Sequence, residues 1–154
     1  LETGEDWARE RLGADMTIGG AHPKMGTHNR LTRTGADNFL EIIAIDPEQA
    51  APERVRWYRM DDPAVRTMTK TAPRPLSWIV ATDDLYAVLA TARGLGVALA
   101  AAFQDRPGAL TWRPTVHAHA DLPHGRTLPA SPSWPQGAPP APLTPDRGLH
   151  LQHP

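Results

Sequence analysis

The segment Asn38-Phe-Leu-Glu-Ile-Ile-Ala-Ile45 is the strongest constraint on what this chain folds into. β-Branched and aromatic residues dominate it, and the pleat of a strand sends Phe39, Glu41, Ile43 and Ile45 to one face and Leu40, Ile42 and Ala44 to the other. Both faces are then apolar, which predicts a central strand covered on both sides. Glu41 becomes a carboxylate in a mostly buried setting. Such a group costs several kcal/mol unless it is paired, protonated, hydrogen-bonded or bound to a cation.

The neighbouring residues predict the rest of the scaffold. His28 to Thr34 alternates modestly and Gly35-Ala36-Asp37 supplies a turn, so two strands form a hairpin. Upstream, Gly19-Gly20, Pro23 and Gly26 are turn signals that predict a loop over residues 14–27 carrying His22 and Met25. Before it, Thr3 is the expected N-cap of a short helix ending at Gly13. Residues 46–75 read as a proline-interrupted connection with a helical turn or two, anchored by Val55, Trp57, Tyr58 and Met60. Leu76 to Ala81 predicts a strand. Thr82 or Asp83 then caps a helix whose Leu85, Val88, Leu89 and Ala92 follow a helical repeat up to Gly94-Leu-Gly96. Val97 to Phe103 and Leu110 to Val116 predict a pair of strands around a turn at residues 105–108. Nine of the 17 prolines lie from Pro123 onward, which excludes regular helix or central sheet over most of that stretch. Trp134 within it, and the alternation of Gly148 to His153, argue for order and a returning final strand.

Composition excludes several function classes. A formal net charge of −1 provides no field that would gather nucleic acid or an anionic membrane. With no cysteine there is no disulfide, thiolate nucleophile or thiolate metal site, and a metal would need imidazole and carboxylate ligands. The longest apolar run, Val97 to Phe103, is too short for a bilayer and no leader pattern precedes it. A cytoplasmic location is the expectation. Gly94-Leu-Gly96 follows a helix instead of opening one, so it is not a phosphate loop, and no serine elbow or basic aromatic surface is present.

The concentrated chemistry lies in His22-Pro-Lys-Met-Gly-Thr-His-Asn29 together with Glu41. His28 and Asn29 open the strand paired with that of Glu41, so all three are expected to reach one cavity. Glu41 and His28 are the candidate catalytic pair, with His22 and Asn29 binding substrate. The bland alternative for Glu41 is an ion pair with Arg30 or Arg33 across the hairpin. Trp78 and Trp112 either flank an apolar substrate or pack in the core. Arg113 either clamps a substrate carboxylate or is an edge-strand charge. His117 and His119 would share one side of a strand without a third ligand, whereas His150 and His153 would face opposite ways.

Coarsely, the elements run helix, loop, strand, strand, linker, then strand, helix, strand, strand, loop, strand, close to βαβββ twice. His22-Pro-Lys-Met-Gly-Thr-His-Asn29, the following Phe39-Leu-Glu-Ile-Ile-Ala-Ile-Asp-Pro47, the Leu76-to-Leu85 entry and the closing Leu149-to-Pro154 resemble the glyoxalase-like domain of the vicinal oxygen chelate superfamily. That resemblance implies an α+β fold of two βαβββ modules, residues 1–46 and 76–154, forming a curved mixed-sheet cup. Residues 47–75 would link them, and a proline-rich insertion would occupy 123–146. The first strand of the first module is missing from this reading, because the chain starts at the helix. The exposed edge is expected to be covered in a homodimer.

The resemblance also implies a divalent cation (Zn, Mn, Fe or Ni) on a first-strand histidine and a last-strand carboxylate. Glu41 holds the carboxylate position, with His28 the imidazole at hand. Ser77 or Trp78 stands at the first-strand position of the second module, and His150, Gln152 and His153 lie on its last strand. Lyase, isomerase or dioxygenase chemistry on a small molecule is implied. The alternative on the same fold is a protein that sequesters a hydrophobic small molecule without chemistry.

Overall fold

The computed structural model describes residues 1–101, 111–113, 115–117, 127–131, 133–136 and 139–152. The fold is α+β and divides into two units. One comprises Leu1–Pro52, Arg66–Arg74 and Ala138–Pro154; the other comprises Glu53–Val65 and Pro75–Gly137. The expected second module ran from residue 76 to the C-terminus, whereas this division returns the last segment to the first unit.

The first unit opens with α1, Glu2–Leu12. Its N-cap is Leu1 with no side-chain bond, not Thr3, and Gly13 ends it in a left-handed conformation. Three antiparallel strands follow in the order β1 (Thr17–His22), β2 (Thr27–Arg33) and β3 (Phe39–Ile45). The β2–β3 hairpin matches the alternation of the sequence. β1 does not match: residues 17–22 form a strand where turn chemistry predicted a loop. The turn proper is confined to residues 23–26, where Met25 N–H donates to the His22 carbonyl at 2.9 Å.

β2, not β3, is central among the described strands. On one face α1 approaches so closely that a Cβ on Gly4 would lie 2.6 Å from Cγ2 of buried Ile42. Arg30 Nε on β2 reaches Glu5 Oε1 of the helix at 2.9 Å, tying α1 to the sheet. A short helix, α4 (Pro140–Leu143), also packs on β2. No strand forms over residues 148–152; Leu151 N–H donates to the Thr34 carbonyl at 2.8 Å as a single rung.

In the connection, a single 3-10 turn at Trp57–Arg59 precedes α2, Pro63–Thr69. Trp57 and Met60 are buried anchors as expected, whereas Val55 is exposed. Tyr58 and Arg59 both adopt left-handed φ, 56° and 51°. Ion pairs from Arg56 to Asp61 at 2.5 Å and from Arg59 to Asp62 at 3.3 Å brace this costly backbone.

In the second unit, α3 spans Leu85–Gly94 with Leu85 and Ala92 buried, matching the helical repeat. Its cap is Asp84, whose side chain accepts from Ala87 N–H at 2.9 Å, one residue beyond the expected caps. Thr82 instead accepts from Asp84 N–H. Leu76 to Ala81 is not assigned as a strand: among the described residues it makes one parallel bridge, Ile79 to Ala130, and Trp78 and Val80 are exposed. β4 (Leu99–Ala101) pairs with β6 (Thr115–His117), which overlaps only the end of the expected Leu110–Val116 strand; β5 (Thr111–Arg113), the rest of that stretch, pairs instead with β7 (Ser133–Gln136). The turn at 105–108 lies outside the described residues. No described helix is long and apolar enough to cross a membrane.

The contact between α1 and β3 sets a test. Alanine at position 4 gains roughly 1 kcal/mol of helix propensity but collides with Ile42, and overpacking typically costs about 1–3 kcal/mol. Gly4→Ala should therefore lower stability in urea unfolding, opposite to the sign that propensity alone gives.

Candidate functional site

The register of the three-stranded sheet decides which polar residues meet. Thr27 pairs with His22 and Ile45, Asn29 with Gly20 and Ile43, and Leu31 with Thr17 and Glu41. Paired residues share a face, so His22, Thr27, Asn29 and Glu41 lie on one face of the sheet. His28 pairs with Ala21 and Ala44 and belongs to the other face, alongside Arg30 and Thr32. The expected trio of His28, Asn29 and Glu41 is thus divided: neighbours in a strand point opposite ways.

Asn29 is the hub of the polar face. Its Nδ2 donates to Glu41 Oε1 at 2.6 Å, and its Oδ1 accepts from Gly20 N–H at 2.7 Å. A carboxylate only accepts and a backbone N–H only donates, so these partners fix the amide orientation. Asn29 is buried, and it folds over β1 at Gly19, where the register shifts in a bulge. A Cβ on Gly19 would stand 2.0 Å from Asn29 Oδ1 and 2.8 Å from its Cγ. Only glycine leaves that space.

Glu41 is half-buried rather than mostly buried, in keeping with its place on an outer strand of the described sheet. The two arginines expected as its partners across the hairpin are bonded elsewhere. Arg30 is engaged by Glu5 and by the Asn29 carbonyl, and Arg33 Nε donates to the Gly35 carbonyl at 2.8 Å. Leu31 and Ile43 border the polar pair across the strands, placing apolar side chains beside the carboxylate.

His22 ends β1, not a loop, and is 4% exposed. Its Nδ1 is hydrogen-bonded to the hydroxyl of fully buried Thr27 at 3.1 Å. On the opposite face, His28 Nδ1 stands 3.9 Å from Asp46 Oδ2. Its Nε2 is buried with no hydrogen-bond partner among the described residues. Asp46 is held in the turn after β3, its Oδ1 accepting from Glu48 N–H at 3.0 Å.

Of the remaining candidates, Trp78, Trp112, Arg113 and His117 belong to the second unit and His150 to the first. Trp78 is half exposed, so it does not pack in the core, and its Nε1 donates to the Thr127 carbonyl at 3.2 Å. Trp112 and Arg113 lie on β5 and His117 on β6, with side chains outside the described set, as are His119 and His153. His150 is exposed.

Among the described residues, no three histidine, aspartate or glutamate side chains converge as a metal centre would require. His28 is on the wrong face to join Glu41, and His22 Nδ1 is turned to Thr27. These residues do not fit the implied cation site.

The residues that the sequence reading missed are Gly19, Gly20 and Thr27. Adjacent glycines were legible as a turn, yet glycine within a strand also marks a bulge or a close approach. Thr27 gave no signal of its own; pairing placed it beside His22.

A family model described as a glyoxalase-like domain matches residues 1–153 of the chain. No curated protein and no solved structure matches it.

The buried His22–Thr27 bond can be tested directly. Thr27→Val keeps the shape of the side chain but deprives Nδ1 of its partner, and a buried polar group left in that state costs about 1–3 kcal/mol. Urea unfolding of the variant should register a loss in that range.

Proposed function

Because the chain belongs to the glyoxalase-like domain family of the vicinal oxygen chelate superfamily, we propose that it is a small-molecule enzyme whose site is the His22–Asn29–Glu41 face of the β1–β2–β3 sheet. Glu41 is the group that exchanges a proton with the substrate. The observation that carries this reading is the 2.6 Å bond from Asn29 Nδ2 to Glu41 Oε1. A half-buried carboxylate held by a buried amide, itself fixed by a backbone N–H, is oriented before any ligand arrives.

The chemistry follows from that arrangement. A carboxylate held in one orientation beside a ligand is placed to take a proton from a bound carbon acid or hydroxyl. Leu31 and Ile43 offer the apolar contacts that would seat the body of a small ligand beside it. The substrate class best suited is a compact molecule with an apolar portion and an acidic C–H or O–H next to a carbonyl. Glu41 takes that proton and returns it, and Asn29 holds the carboxylate in place as its charge changes.

The test is exchange of substrate hydrogen with solvent deuterium. A panel of α-hydroxyketones and aryl ketones in D2O, followed by proton NMR, should show loss of the signal next to the carbonyl for at least one compound. Glu41→Gln should slow that exchange by about 10²–10⁴-fold, the usual worth of a positioned base, while amide shifts at Gly20 and Ile43 still report binding. Binding without any Glu41-dependent exchange would defeat the enzymatic reading and leave sequestration.

A further inference from the structure

Arg33 is a cation on the polar face of the sheet that meets no carboxylate among the described residues. It ends β2 on the same face as Asn29 and Leu31, pairs across the strands with Phe39, and stands diagonally from Glu41. We propose that Arg33 is a carboxylate-binding residue and that the ligand of this face is a small oxo acid. Such a molecule carries a carboxylate at one end and an acidic C–H beside a carbonyl further along. The inference deepens the proposed site by naming the charge of its ligand, and it rests on this face being where the ligand lies.

The guanidinium is only partly engaged. Its Nε donates to the Gly35 carbonyl at 2.8 Å, which uses one of the five N–H donors of an arginine. Those on Nη1 and Nη2 have no partner among the described residues, although the residue is half-buried. Arg30, on the other face of the same strand, is by contrast closed by Glu5 at 2.9 Å. A half-buried cation with an open fork has given up water without gaining a counter-charge. A planar carboxylate supplies that charge and accepts two parallel hydrogen bonds from the fork. The bond to Gly35 holds the guanidinium in advance, so less freedom is lost when a ligand arrives.

Glu41 decides which way round such a ligand lies. Diagonal neighbours on one face of an antiparallel pair stand about 7–8 Å apart, a span that a molecule of a few carbons bridges. Like charges repel, so the ligand's carboxylate goes to Arg33 and its carbonyl end is left beside Glu41. Leu31 and Phe39 complete the patch between the two charges and line the body of the ligand with apolar groups. An arginine that merely braced the turn would need only its bond to Gly35, and would not distinguish a charged ligand from an uncharged one.

The experiment compares pyruvate and levulinate with their methyl esters, each titrated at constant ionic strength and followed by NMR at the amides of Leu31 and Phe39. At least one acid should bind about 10–100-fold more tightly than its ester, the usual worth of a charge-assisted hydrogen bond. Arg33→Gln should erase that preference by weakening the acid alone. Arg33→Lys, which keeps the charge without the fork, should retain part of it. Equal binding of acid and ester by the parent, binding of neither acid, or equal weakening of acid and ester in folded Arg33→Gln overturns the inference. Circular dichroism identifies folded variants. If the glutamine variant does not fold, a reduced preference for the acid in Arg33→Lys supports the inference and an unchanged one overturns it. An Arg33-dependent preference for the acid, with no exchange of the hydrogen next to its carbonyl in D2O, would defeat the enzymatic reading alone. Glu41-dependent exchange of uncharged ketones with no preference for acids would defeat this inference alone.

Discussion

The amide of Asn29 is the one interaction on which this site depends. It runs across the sheet from Gly20 N–H on β1, through β2, to Glu41 on β3. Each bond in such a chain polarises the next, and burial raises both its strength and the cost of breaking it. The chain has a single allowed direction, donor to acceptor from β1 outward. Its register leaves no freedom either: sliding β2 by one residue would put Asn29 on the α1 face and His28 in its place.

That dependence explains features that otherwise look unrelated. Gly19 weakens a strand by ordinary propensity, yet β1 carries it where it makes room for the amide, while Gly20 contributes its backbone N–H. The bulge between Ile18 and Gly20 accommodates the extra residue at the point where the side chain crosses. Asp46 closes the turn beyond β3 with its own backbone and side chain, and so fixes where β3 ends and the register begins.

Much of this was legible in the sequence where a period carried it. The alternation of residues 28–45 marked the hairpin, and the repeat of Leu85, Val88, Leu89 and Ala92 marked α3. What failed had no period to read. β1 holds two glycines that belong to a strand only because Asn29 lies over them, a tertiary reason that local turn chemistry cannot contain. The apolar character of both faces of β3 was read as strands on either side, but helix cover produces the same pattern: Ile42 meets Gly4 of α1. Leu76 to Ala81 has strand composition yet exposes Trp78 and Val80, so composition without a paired neighbour did not make a strand.

The candidate site was legible in its residue types and misread in its geometry. Glu41 and Asn29 were singled out correctly as a pair within reach. Grouping His28 with them overlooked the pleat, which the same sequence already imposed, since residues 28 and 29 cannot share a face of a regular strand. The consequence reaches beyond one assignment. β2 presents His28, Arg30 and Thr32 to one side, where Arg30 ties down α1 through Glu5, and Thr27, Asn29 and Leu31 to the other. One strand thus anchors the helix with its even-numbered residues and organises the polar site with its odd-numbered ones. The α1 contact stiffens the very backbone whose register aims Asn29, so the packing face and the chemical face are coupled through β2 without sharing a side chain.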